Sequence, residues 1–119
     1  MHELSVCQAL IDQVENLARE QRARRVLSLV VGVGPLSGVE ISLLKQAYPV
    51  AAAGTVAEGA ELELEHRPIR VHCRICGEDS AATANRLLCA SCGDWQTDLV
   101  SGDELVLTRV EFLREQAYV

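Results

Sequence analysis

A chain of 119 residues suits one compact domain, or a domain carrying a small module, and with 49% of its residues apolar it can bury a real core. Aromatics supply only 3%, so that core must be built from Leu, Val, Ile and Ala, and a base-stacking surface is not available. A formal charge of −6 weighs against binding a phosphate backbone, and no apolar run approaches the roughly 18 residues of a membrane span.

The start, Met1-His2-Glu3-Leu4, has no basic segment followed by an apolar run, so it does not read as a secretory signal. Residues 4–22 read as an amphipathic helix, with Leu4, Cys7, Leu10, Ile11, Val14, Leu17 and Ala18 at steps of three or four. Cys7 fits that row as a small buried hydrophobe. Residues 25–33 are β-branched and apolar nearly throughout and suit a central strand, which Gly34-Pro35 ends. Ser37-Gly38-Val39-Glu40 has the Ser-x-x-Glu form of a capping box, which predicts a second helix from about residue 38 carrying Val39, Leu43, Leu44 and Ala47. Pro49 lacks a backbone donor and crowds the preceding turn, so it should stop or kink that helix; Ala51-Ala52-Ala53 can add a last turn, with Gly54 as the stop.

Residues 60–66 alternate Leu62 and Leu64 against Glu61, Glu63 and Glu65, the pattern of a half-buried strand ending at a solvated His66. Ser101-Gly102-Asp103 is a turn signal before a long strand at 104–113. The order predicts an α+β fold: two helices on a three-stranded mixed sheet, with an inserted zinc-ribbon module. Residues 1–69 plus 98–119 would form the body and 70–97 the module.

The module holds Cys73-Arg-Ile-Cys76-Gly77 and Cys89-Ala-Ser-Cys92-Gly93, four of the five cysteines. Two residues inside each pair let both sulfurs reach one ion from a tight knuckle, and the glycine after each pair permits positive φ. Four thiolates in a tetrahedron suit structural Zn(II), and binding worth roughly 10–16 kcal/mol would supply the folding energy of so small a unit. Without an export signal, metal binding is favoured over disulfides, and the cytoplasm is the expected location. Iron in the same tetrahedron, as in a rubredoxin-like carrier, is the rival occupant. His72 adjoins Cys73 and is a candidate to tune the site or to replace a ligand.

A second site is suggested by the first residues. Met1 should be retained before the bulky His2. Its amine and the His2 backbone nitrogen close a five-membered ring on a metal, and that nitrogen with the His2 Nδ1 closes a six-membered one. Glu3 can fill a fourth place through its backbone nitrogen or carboxylate. Such a planar, nitrogen-rich set suits Ni(II) or Cu(II), not zinc. The positive end of a helix repels a cation, an objection answered if two backbone amides lose protons.

These same features carry a resemblance. Met1-His2-Glu3-Leu4-Ser5, the stretch from Val31 to Glu40, the paired Cys-x-x-Cys motifs and Gly102-Asp103-Glu104-Leu105 together resemble the HypA/HybF family, nickel-incorporation proteins of nickel–iron hydrogenase maturation. The resemblance implies a metallochaperone and not an enzyme, with Ni(II) as transferred cargo held by Met1, His2 and Glu3. It implies structural zinc on Cys73, Cys76, Cys89 and Cys92. Its partners would be a HypB-type GTPase and the hydrogenase large subunit and, in some members, urease maturation proteins, with no nucleic acid or membrane. Glu40 enters as a further nickel candidate; the residues themselves read it as a capping-box carboxylate. The chain departs from the family in Gln46 and in Pro49, where the second helix usually continues. The alternative function is a zinc-ribbon interaction or regulatory module without nickel transfer.

Overall fold

The computed structural model describes residues 3–114, which fall into two compact units. The described residues of the first are 3–31, 39–64 and 107–114. It contains α1 (Glu3–Glu20), most of β1 (Ala23–Val33), α2 (Ile41–Ala52) and most of β2 (Glu61–His66). With the long C-terminal strand, Leu105–Arg114, these strands make a three-stranded sheet with β1 in the centre and β2 at one edge. The two helices on a mixed three-stranded sheet are the architecture expected from the alternation of patterns along the chain.

The helix α1 buries Val6, Cys7, Leu10, Ile11, Val14 and Ala18. Leu4 and Leu17 share the expected row but are exposed, because the buried stripe is rotated toward Val6. Cys7 is fully buried and its Sγ lies 3.6 Å from the Leu44 carbonyl oxygen on α2. Four residues earlier, the Glu40 amide donates to a Glu3 carboxylate oxygen at 3.3 Å. Two contacts at the same sequence offset mean that the helices lie side by side and run in the same direction. From α2 the core takes Leu44, Tyr48 and Ala52; from β1 it takes Val26, Leu29, Val30 and Val31. Each such aliphatic side chain, fully buried, contributes about 1.5–3 kcal/mol. The Tyr48 hydroxyl is buried without a hydrogen-bond partner among the described residues, and burial followed by the Cys7 charge pushes its pKa to about 12.

The start of α2 corrects the capping-box expectation. The helix begins at Ile41, not near 38, and its N-cap Glu40 makes no side-chain cap. Instead the Glu40 carboxylate accepts from the Ser42 hydroxyl at 3.1 Å. The reason is the preceding loop: Leu36 N–H donates to Gly102 O at 2.7 Å, and Gly38 at φ 78° must turn the chain before a helix can start. Pro49 does not end the helix either. It sits in the last turns with both it and Lys45 exposed, so the Lys45 carbonyl left without its donor can be hydrated. The chain leaves the helix at Gly54, φ 76°, as expected.

The described residues of the second unit are 32–38 and 65–106. In chain order its strands are β3 (Arg70–Cys73), β4 (Asp79–Ala81) and β5 (Thr97–Ser101), after which Leu105–Arg114 is β6. β3 is central and pairs antiparallel with both neighbours. Its core is small: Val33, Ile69, Val71, Cys73, Ser80 and Cys89. The loop from Gly32 is stitched to the end of the unit, with Gly34 N–H donating to Glu104 O at 2.8 Å. A Cβ on Gly34 would sit 2.1 Å from the Gly102 carbonyl oxygen, so only glycine permits this approach. No helix among the described residues is long and apolar enough to cross a membrane.

Candidate metal centre

Both knuckles are built by the same local chemistry. In the first, Gly77 N–H donates to Cys73 O at 3.0 Å and Cys73 N–H to Glu78 O at 2.9 Å. In the second, Gly93 N–H donates to Cys89 O at 2.9 Å and Cys89 N–H to Asp94 O at 3.0 Å. Gly77 and Gly93 both stand at φ 77°, the left-handed turn that the sequence pattern implied. Each turn aims an amide at a sulfur: Cys76 N–H to Cys73 Sγ and Cys92 N–H to Cys89 Sγ, both 3.4 Å.

The four sulfurs of Cys73, Cys76, Cys89 and Cys92 lie within 4.8 Å of one another, forming a four-cysteine metal-binding cluster. The pairs Cys73–Cys92 and Cys76–Cys89 across the knuckles are 3.6 Å apart. A tetrahedron with Zn–S about 2.3 Å requires S···S of about 3.8 Å, so the residues fit a structural zinc site. Cys73 and Cys89 are buried, Cys76 and Cys92 exposed.

The thiols cannot all ionise together in the absence of a cation. The Cys76 amide lowers the Cys73 pKa, and the Cys92 amide brings Cys89 down to about 6. At Cys76 the Glu78 amide pulls downward, but desolvation and the neighbouring thiols prevail and push it to about 12. At Cys92 the Asp94 amide is similarly outweighed, first by the Cys73 thiol. A divalent ion reverses this by holding every sulfur as thiolate, so loading releases protons.

His72 stands outside the cluster. Its Nδ1 is 2.6 Å from the Asp79 carboxylate across β3 and β4, and both are about half exposed. His66 is exposed, as its place at the end of an alternating strand implied. An ion pair that no local pattern announces braces the first knuckle: Arg74 Nε lies 3.0 and 3.1 Å from the two Asp98 carboxylate oxygens and Nη2 is 2.6 Å from one of them. Sequence separation of 24 residues hides it.

Of the nickel candidates, Met1 and His2 lie outside the described residues. Glu3 heads α1, and its carboxylate meets the Glu40 amide at the start of α2. The two acidic candidates are thus brought to one place, and Glu3, Leu4, Leu43, Gln46 and Ala47 line an open groove beside it. The carboxylate at the positive end of α2 comes from the neighbouring helix, which no local cap motif announces.

The family model for hydrogenase/urease nickel incorporation, metallochaperone HypA, matches residues 1–112. Hydrogenase maturation factor HypA of Nitrosospira multiformis is 50% identical over 113 residues, covering 95% of this chain and 98% of that protein. The Aquifex aeolicus factor of the same name is 40% identical, covering 93% and 96%. The solution structure of the Ni metallochaperone HypA from Helicobacter pylori superposes with a TM-score of 0.74 at 26% identity, covering 97% of this chain and 100% of that one. The chain, with its two helices, three-stranded sheet and four-cysteine cluster, belongs to the HypA family of nickel metallochaperones that act in hydrogenase maturation.

Proposed function

We propose that this chain binds Ni(II) through Met1, His2 and Glu3 and passes it to the nickel–iron hydrogenase large subunit during maturation. A HypB-type GTPase is the partner that works with it, in the cytoplasm. Cys73, Cys76, Cys89 and Cys92 hold Zn(II) for structure, and residues 70–97 act as a module inserted in the nickel-binding body. No covalent step is performed: the chain holds a cation reversibly and gives it up.

The observation that carries this reading is the family match that starts at residue 1 and so takes in the Met1-His2-Glu3 start. The hydrogen bond from the Glu40 amide to the Glu3 carboxylate supports it further, because it holds one of the three proposed ligands in place at the start of α2. Glu40 donates its amide to Glu3 and directs its own carboxylate to Ser42, which makes it a support for Glu3 in preference to a ligand. Four thiols around one point, with no fifth donor in the cluster among the described residues, suit a closed structural site and not an open catalytic one. Copper binds nitrogen-rich planar sites more tightly than nickel, so selectivity must come from metal supply and from docking.

His2→Ala tests the nickel assignment. It removes the imidazole and one chelate ring, so nickel affinity is lost while zinc content and the far-UV spectrum stay unchanged. Unaltered nickel affinity in that variant contradicts the site, as does full affinity after acetylation of the Met1 amine.

A further inference from the structure

The first turn of α2 is held from outside its own helix. Glu40, Ile41, Ser42 and Leu43 are all exposed, and the first buried side chain is Leu44. The turn carries no acidic residue, and its N-cap Glu40 makes no side-chain cap. A helix start with free N–H groups and a partial positive charge is stabilised by a carboxylate. Glu3 of α1 supplies one: its Oε2 accepts from the Glu40 N–H at 3.3 Å, and its Oε1 has no partner among the described residues.

One turn further on, Cys7 and Leu44 are both fully buried, and the Cys7 Sγ lies 3.6 Å from the Leu44 carbonyl oxygen. This packed layer fixes how far α1 stands along α2, and so keeps the Glu3 carboxylate beside the Glu40 amide. Glutamate loses much rotamer freedom when a ligand fixes it. A side chain fixed beforehand has less to lose, so a metal that uses it binds more tightly.

Resting on the nickel assignment above, we propose that the main-chain N–H of Glu40 is a positioning group for nickel: it holds one oxygen of Glu3 and leaves the other to the metal. What matters at position 40 is then the amide and not the acid, whose carboxylate is engaged by the Ser42 hydroxyl at 3.1 Å. Coupling of this kind is reciprocal. A contact that strengthens nickel binding is itself strengthened by nickel to the same factor, so loading steadies the exposed turn that carries Ile41 and Leu43.

The test titrates Ni(II) into full-length, untagged, zinc-loaded protein. Glu40→Pro removes the donor, and the φ of −84° at this position suits the ring. Ile41→Pro is the control for introducing proline. Proline is favoured at the first helical position, and Glu40 at ψ 113° already has the extended backbone that must precede it. Glu40→Pro should weaken nickel binding about threefold or more relative to both Ile41→Pro and Glu40→Ala. In the wild type, nickel should slow exchange of the Glu40 amide by a similar factor. Equal affinities in Glu40→Pro and Ile41→Pro overturn the proposal. So does an equal loss in Glu40→Pro and Glu40→Ala, which would make the Glu40 carboxylate a ligand. Should Glu40→Pro fail to fold, the wild-type exchange decides: a Glu40 amide that nickel leaves unchanged overturns the positioning role. If the wild type takes up no nickel beyond its zinc, the nickel assignment itself fails and the positioning role with it.

Discussion

Gly34 fixes a place where the backbone has no alternative. Gly34→Ala would drive a Cβ to 2.1 Å from the Gly102 carbonyl oxygen, a collision with main chain and not with a flexible side chain. It should cost on the order of 3 kcal/mol or more, seen as a lowered thermal midpoint. The sequence marked Gly34 only as a strand end, because the partner backbone at Gly102 lies 68 positions away and no local pattern records that approach. The Arg74–Asp98 pair was hidden for the same reason. The Arg74 hydrogen bonds hold the Asp98 carboxyl below its ordinary 3.8. Because the folded value is depressed, the pair's contribution is complete above the ordinary value and is lost as pH falls through the depressed one. Carbon-detected titration of Asp98 should find the low midpoint, and Arg74→Ala should return it to the usual carboxylate range. At 62% and 52% side-chain exposure the pair is screened, so its role is local bracing and not global stability.

At the scale of elements, periodic patterns were legible and their ends were not. Alternation in 60–66 gave β2 nearly to the residue, because a strand that hides one face must write its register into the sequence. The Ser37–Glu40 motif misplaced the start of α2, since the loop before it is held by Gly102 and Glu104 and its N-terminus is served by Glu3 from α1. Pro49 misjudged the other end, as a missing donor near an exposed last turn is readily hydrated. The knuckles were the most legible elements: each Cys-x-x-Cys-Gly sets its own turn by bonds within six residues. Their stability, in contrast, depends on all four sulfurs at once. Cys76→Ser should release zinc and remove amide-exchange protection from residues 70–97, since roughly 10–16 kcal/mol of binding replaces the core this unit lacks. The strands and helices of the body, with their own buried aliphatic core, should keep their protection. Equal loss of protection in both segments would contradict that division.

For the whole molecule the paired cysteines pointed to a metal protein, and their four sulfurs lie together in one cluster. The nickel assignment came from the order of three residues and from family resemblance; of the three, the structure describes Glu3, whose carboxylate accepts from the Glu40 amide. A chelate made from backbone nitrogens must shed protons to form, so its affinity falls as pH falls. That distinguishes it from adventitious binding by surface carboxylates, which keep their charge through the neutral range. The central claim is tested most directly by titrating Ni(II) into zinc-saturated protein with an untagged Met1, reading bound metal and released protons together near neutral pH. One nickel per chain, taken up with proton release and leaving the zinc in place, is the result expected. No nickel uptake beyond the zinc already held would contradict it.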